Sequence, residues 1–215
     1  MTRSCGRRFS RTALFVAFTV PALLLASPAP GVAGDAASPH KLFAKTLLPL
    51  HDRKGGATIA TVTPGTAFAV QKRAGAKLLV AVTGWSPVGG ESLLFKALGQ
   101  RILLARLTRK GVATRKVLKE KEDEYGSPWQ RVRITGWVAR RAVVADVEKV
   151  WKRASRLFHK RCTRCHALHR PTEFTANQWP NILKIMTKRA GLSKARKALV
   201  VKYLQTHAKD QDSGS

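Results

Sequence analysis

Two hydrophobic periods divide the chain and predict an α+β protein, with a β region over residues 35–145 followed by an all-helical region over 146–210. Short runs rich in Val, Leu, Ile and Thr, broken by Gly, Pro and charged turns, fill residues 41–145. One pattern occurs twice: Lys77 to Pro87, KLLVAVTGWSP, and Gln130 to Arg140, QRVRITGWVAR, both alternate apolar and polar residues and then close on Thr-Gly-Trp. From Asp146 the apolar residues Val147, Val150, Trp151, Ala154, Leu157 and Phe158 recur on one face of a helix instead.

The first 34 residues differ from both regions. Arg3, Arg7, Arg8 and Arg11 precede the apolar run TALFVAFTVPALLLA, and small residues follow in SPAPGVAG. This is the layout of a secretory signal peptide, 1–34, whose apolar part is short for a membrane span and interrupted by Pro21. Cleavage is expected between Gly34 and Ala37, with an uncleaved anchor as the alternative. The pair Arg7-Arg8 before Phe9 is also compatible with a twin-arginine signal, although a Sec signal is preferred. Removal of the segment takes Cys5 with it and leaves Cys162 and Cys165 as the remaining cysteines. The expected location is the periplasm.

Charge limits the choice of partners. The chain carries 40 Lys and Arg against 12 Asp and Glu, a net charge of +28. Four of those cations and no acid lie in the first segment, which leaves about +24 on the remainder. Export and the scatter of the cations, with no aromatic-interleaved stripe, argue against nucleic acid. An acidic redox-partner protein fits, as does a loose association with anionic lipid headgroups; either contact weakens with salt.

Within the β region the alternation of each repeat lays one face on a core; the Gly permits a bend and the Trp supplies buried area at the strand end. Thr61 to Arg73, TVTPGTAFAVQKR, reads as a strand and turn leading into the first repeat. Strand, turn and strand ending in Gly-Trp resemble bacterial SH3-like domains, which implies one or two small barrels. Glu91 to Thr108 is either a connecting helix or a hairpin, and Glu120 to Tyr125, EKEDEY, reads as a solvated turn. In the helical region the first helix runs into Cys162. A second begins near Asn177, carries Trp179, Ile182, Leu183 and Met186 on one face and ends at Gly191. The third starts with Ser193 as N-cap and carries Leu199, Val200, Tyr203 and Leu204. Residues 211–215 form a frayed tail.

The chemistry concentrates in Arg161 to Pro171, RCTRCHALHRP. A thioredoxin-like dithiol would open a helix in a βαβ setting, whereas here a helix precedes the motif. A structural zinc site would need His166 and His169 beside Cys162 and Cys165, without the usual wide gap between ligand pairs. A covalently attached haem uses every residue: two thiols add to two vinyl groups whose separation matches the two-residue gap, and His166 is brought under the ring as proximal iron ligand. The sixth ligand is expected to be Met186, with His207, four residues after Tyr203, as the alternative; His169 is too near His166 to reach the opposite face. One haem c and an all-α cytochrome c-like domain over 146–210 follow.

The segments GQRILLARLTRKG, EDEYGSPWQRVRITGWV, RCTRCHALHRPTEFTANQWPNILKIMTKRAGLS and KYLQTHAKD together resemble the C-terminal, single-haem part of the pentahaem cytochromes that serve trimethylamine-N-oxide reductases. The resemblance spans roughly Ala57 to Asp210, and FTANQWP is far more specific than CxxCH. It implies periplasmic electron transfer from a membrane multihaem quinol oxidase to a molybdopterin N- or S-oxide reductase, with Cys162, Cys165 and His166 binding the haem. That family begins with a membrane-anchored tetrahaem domain, and this sequence holds a single CxxCH, so a terminal module standing alone is expected, with a separate protein as donor. No Ser-His-Asp set, phosphate-cradling loop or paired apolar carboxylates are present, so an electron carrier is expected rather than an enzyme. A haem-containing SH3-like binding or sensor module is the alternative, and a peroxidase would require an open sixth position.

Overall fold

The computed structural model describes residues 41–164 and 166–211; the expected signal peptide and residues 212–215 of the expected tail lie outside them. Ten strands run through the β region: β1 (Leu42–Ala44), β2 (Leu48–His51), β3 (Thr58–Val62), β4 (Ala67–Ala74), β5 (Lys77–Pro87), β6 (Leu93–Ala97), β7 (Gln100–Leu107), β8 (Lys116–Glu122), β9 (Pro128–Ala139) and β10 (Val143–Val144). A short helix α1 (Arg109–Thr114) separates β7 from β8. All pairings are antiparallel, in the order β10-β1-β4-β5-β6-β7-β3-β2-β9-β8, and a further β5–β9 pairing closes β5, β6, β7, β3, β2 and β9 into a ring. Residues 91–108 resolve as the β6–β7 hairpin, and the acidic run is divided, Glu120 to Glu122 ending β8 and the turn following.

The two Thr-Gly-Trp repeats are partners. β5 and β9 pair from Lys77↔Ala139 to Pro87↔Trp129, so each repeat forms the other's ladder. Their alternation buries Leu78, Val80 and Val82 against Val132, Ile134 and Val138 in one apolar core with Leu50, Val62, Phe68 and Leu94. The glycines are sites of close approach rather than bends. A Cβ on Gly84 would stand 2.4 Å from the Phe95 carbonyl oxygen, and one on Gly136 2.6 Å from that of His51. Trp85 and Trp137 are only half-buried, and the Lys54 ammonium lies 5.0 Å from the centre of the Trp137 ring.

Three longer helices follow: α2 (Glu148–Cys162), α3 (Trp179–Arg189) and α4 (Lys194–Thr206). The Ser193 hydroxyl accepts from the Arg196 amide at 3.4 Å and caps α4, and Gly191, at φ 61°, takes the left-handed conformation just past α3. The expectation of an all-α cytochrome c-like domain is overturned. The molecule is mostly antiparallel sheet with few helices, and the helices do not complete a core of their own. Ile102 of β7 belongs to the cluster of Phe158, Trp179, Leu183, Val200 and Leu204. Trp151 of α2 covers the β3–β4 turn so closely that a Cβ on Gly65 would fall 2.1 Å from its ring.

The reason lies in α4, which is buried on three sides. Leu199 packs against Val150, Trp151 and Ala154 of α2, Val200 and Leu204 pack with Trp179 and Leu183 of α3, and Lys202 and Gln205 face β7. The Gln205 amide donates to the carbonyls of Arg101 at 3.1 Å and Ala176 at 2.9 Å; Lys202 Nζ donates to the Leu103 carbonyl. The change of period at Asp146 therefore marks a change of secondary structure within one compact unit.

Candidate functional site

The CxxCH segment begins in the last turn of α2. Burial of Val150, Trp151, Ala154 and Phe158 anchors that helix, and Cys162 lies one turn beyond Phe158 on the same side. Thr163 ends the helix, its hydroxyl donating to the His159 carbonyl at 2.7 Å and its amide to the same oxygen at 3.3 Å. Cys165 falls outside the described residues.

His166 is exposed, with Nδ1 2.6 Å from the Ala167 carbonyl oxygen. A carbonyl only accepts, so Nδ1 carries the proton and Nε2 keeps its lone pair for a ligand. His166 stands 5.5 Å from the His169 ring, His169 packs on Phe174 at 5.3 Å, and Phe174 meets Trp179 edge to face at 5.0 Å. His169 Nδ1 also lies 2.8 Å from Glu173 Oε1, and Trp179 Nε1 donates to the Pro171 carbonyl at 2.9 Å. These contacts tie the loop after the motif to the buried start of α3.

A cavity of about 390 Å³ opens between the end of α2 and the end of α3, lined by Arg161, Cys162, Arg164, His166, Met186, Arg189 and Ala190. Its volume falls in the range of small-molecule and cofactor sites, roughly 300–1,000 Å³. The fold thus brings Cys162, His166 and Met186 to one space. His207 is not among the lining residues. It caps α4, its ring 5.7 Å from Trp151 and 4.5 Å from Tyr203, with Nδ1 2.8 Å from the Tyr203 carbonyl oxygen.

The donors that line the cavity suit a haem of the c type: a thiol for a thioether bond, an imidazole and a thioether for iron, and guanidinium groups for acidic substituents. Among the described residues no group of three or more His, Cys, Asp or Glu side chains could hold a metal ion by itself. Arg189 escaped the sequence reading. Its signal was its position three residues after Met186 on the same helix, one turn along the same face.

Comparison with known proteins gives the same direction. Residues 37–143 match the family model described as TorC third cytochrome c domain, and residues 158–215 match the one described as dihaem cytochrome c. The CxxCH lies in the second match, which contains one such motif. The cytochrome c-type protein TorY of Escherichia coli O157:H7 is 35% identical over 153 residues, 71% of this chain and 42% of that protein. The cytochrome c-type protein TorC of the same organism is 28% identical over 181 residues, 83% of this chain and 46% of that protein. TorY of Haemophilus influenzae is 30% identical over 128 residues, 59% of this chain and 35% of that protein. The chain spans less than half the length of these relatives. No solved structure matches it.

Proposed function

Because the chain is homologous to the c-type cytochromes TorC and TorY, we propose that it is an electron carrier holding one haem c, attached through Cys162 and Cys165 and ligated by His166 and Met186. The observation that carries this reading is the convergence of Cys162, His166 and Met186 on one cavity. Bound there, the haem supplies an iron centre that takes up and releases one electron.

The chain's own residues do the rest. The Nδ1–H bond of His166 to the Ala167 carbonyl leaves Nε2 as the nitrogen that would bind iron. Met186 offers a soft thioether, which favours ferrous iron and a higher potential than a second imidazole would. Packing of Phe174 on Trp179, and the Trp179 indole bond to the Pro171 carbonyl, hold the loop after the motif to α3.

The family resemblance extends the proposal to the periplasm, with a membrane multihaem quinol oxidase as donor and a molybdopterin N- or S-oxide reductase as acceptor. Among the described residues no helix is long and apolar enough to cross a membrane. The cations Lys160, Arg161, Arg164 and Arg170 surround the haem-binding segment and would steer an acidic partner toward it.

The test is an optical spectrum of protein matured with its export and haem-attachment machinery, taken before and after acid-acetone extraction. Haem that stays with the chain, a c-type α band when reduced and a weak near-infrared band when oxidised support the assignment. Retained haem without that band removes Met186, and no haem at all removes the carrier.

A further inference from the structure

The cavity is cationic on two walls. Arg161 and Arg164 adjoin the cysteine segment, and Arg189 belongs to the last turn of α3 on the opposite side. Among the described residues no carboxylate lines it. Among the described residues the ion pairs are Lys110–Asp52 and His169–Glu173, so none of the three guanidinium groups has an acidic partner.

A haem brings its own acids. Its vinyl-bearing edge, which becomes the thioether edge, lies across the macrocycle from two propionates. Cys162 fixes the thioether edge at the end of α2, and Arg161 and Arg164 stay with that edge because each directly adjoins a motif cysteine. Arg189 is the cation carried by the other wall. It follows Met186 by three residues on α3, so the two side chains share a face, and a ring seated against Met186 turns an edge toward Arg189. A guanidinium fork matches a carboxylate bidentately, with charge-assisted hydrogen bonds.

We infer that Arg189 is the propionate-binding residue of this site, a role that rests on the haem reading above. Its simplest rival is that Arg189 complements the C-terminal end of the α3 dipole. Lys188 shares that last turn and does not line the cavity, so the two explanations separate.

The guanidinium offsets propionate charge close to iron. Its loss leaves that negative charge uncompensated and favours the ferric state. In the full chain, matured with covalent haem, Arg189→Gln should lower the ratio of ferrous to ferric at a fixed potential about tenfold, a fall in midpoint potential of about 59 mV for one electron. Arg189→Lys should fall between the variant and the parent, since it keeps the charge and loses the fork, while Lys188→Gln should leave the potential unchanged.

A potential unaltered in Arg189→Gln overturns the inference, as does an equal fall in Lys188→Gln, which would mark a general effect of surface charge. Should Arg189→Gln fail to retain haem, Arg189→Lys decides: a potential below the parent's, with Lys188→Gln unchanged, supports the fork, and one equal to the parent's overturns it. Parent protein that matures without covalent haem fails in the reading beneath, and the inference falls with it.

Discussion

Lys202 is the most consequential buried charge in the described residues, and replacing it with methionine should raise stability at neutral pH. The side chain is 4% exposed, its Nζ donating to the Leu103 carbonyl and to Thr63 Oγ1 at 3.1 Å, with no carboxylate partner. Burial, and then the positive charge of Lys96, pull its pKa from 10.5 down to about 7. In the unfolded chain the amine keeps its ordinary value, so between pH 7 and 10.5 the unfolded state binds one more proton and stability rises with pH. The slope is about 1.36 kcal/mol per pH unit, which over that window is on the order of 5 kcal/mol. The penalty is complete below pH 7, where both states are charged, and absent above 10.5, where neither is. Lys202→Met removes it. The two lost hydrogen bonds cost roughly 0.5–1.5 kcal/mol each, but the Leu103 carbonyl keeps the Thr63 hydroxyl at 2.5 Å and is not orphaned. Urea unfolding of both proteins at pH 7, 8, 9 and 10 isolates the effect, since titrating groups that do not interact with Lys202 cancel in the difference. The variant's advantage should be largest at pH 7 and shrink by a few kcal/mol toward pH 10. Parallel curves would refute the buried, uncompensated ammonium.

Gly136→Ala should destabilise by about 1–3 kcal/mol in thermal unfolding, because the new Cβ meets the His51 carbonyl oxygen at 2.6 Å and Leu50 Cγ at 2.7 Å. Met186→Ala should keep covalent haem and lose the near-infrared band, whereas His207→Ala should keep both; the reverse pattern would transfer the sixth ligand to His207. Reversing Arg164 and Arg170 to Glu should slow electron exchange with an acidic partner at low salt and converge with the parent at high salt, and equal rates at low salt would remove the steering role. Asn177→Ala should cost about 1–2 kcal/mol, read by denaturant midpoint, because its amide donates to the Gly99 carbonyl at 3.0 Å and accepts from the Arg101 amide at 2.7 Å.

Local periodicity carried most of what the sequence revealed. The strands of both Thr-Gly-Trp repeats, the three longer helices, the Ser193 cap and the Gly191 stop follow from side-chain spacing and from backbone preferences that act within a few residues. Pairing of one repeat with the other depends on contacts more than 40 residues apart, such as Val82↔Ile134, which no local pattern encodes. The helical region was misread for a similar reason. An amphipathic stripe shows that a helix has a buried face without identifying its cover, and α4 hides its sheet-facing side behind polar residues. Lys202 and Gln205 look like solvent positions in ALVVKYLQT, yet both are buried because β7 supplies carbonyl acceptors. At the site, the CxxCH spacing singled out Cys162 and His166, which the fold places on one cavity with Met186. Arg189 was not, since a cation in the last turn of a helix has an ordinary explanation.

The segment FTANQWP shows why the loop after the CxxCH motif and the sheet form one structure. Phe174 and Trp179 stack toward His169 in the loop after the motif, and the Lys209 amide donates to the Phe174 carbonyl at 3.2 Å. The Ala176 amide donates to Asp210 at 2.8 Å, which ties the start of α3 to the end of α4. Asn177 then pairs with the Gly99 carbonyl in the β6–β7 turn and with the Arg101 amide of β7, acting as a short extra strand partner. One run of seven residues therefore fixes the cavity wall that carries Met186 and Arg189 relative to the sheet. Those contacts pass through backbone groups of β7 and through side chains of α4, so a helical fragment cut at residue 146 would lose Ile102 from its core and the acceptors of Lys202 and Gln205. The β region is thus a structural part of the site's support, while β8, paired outside the ring to β9, stays exposed along its whole length.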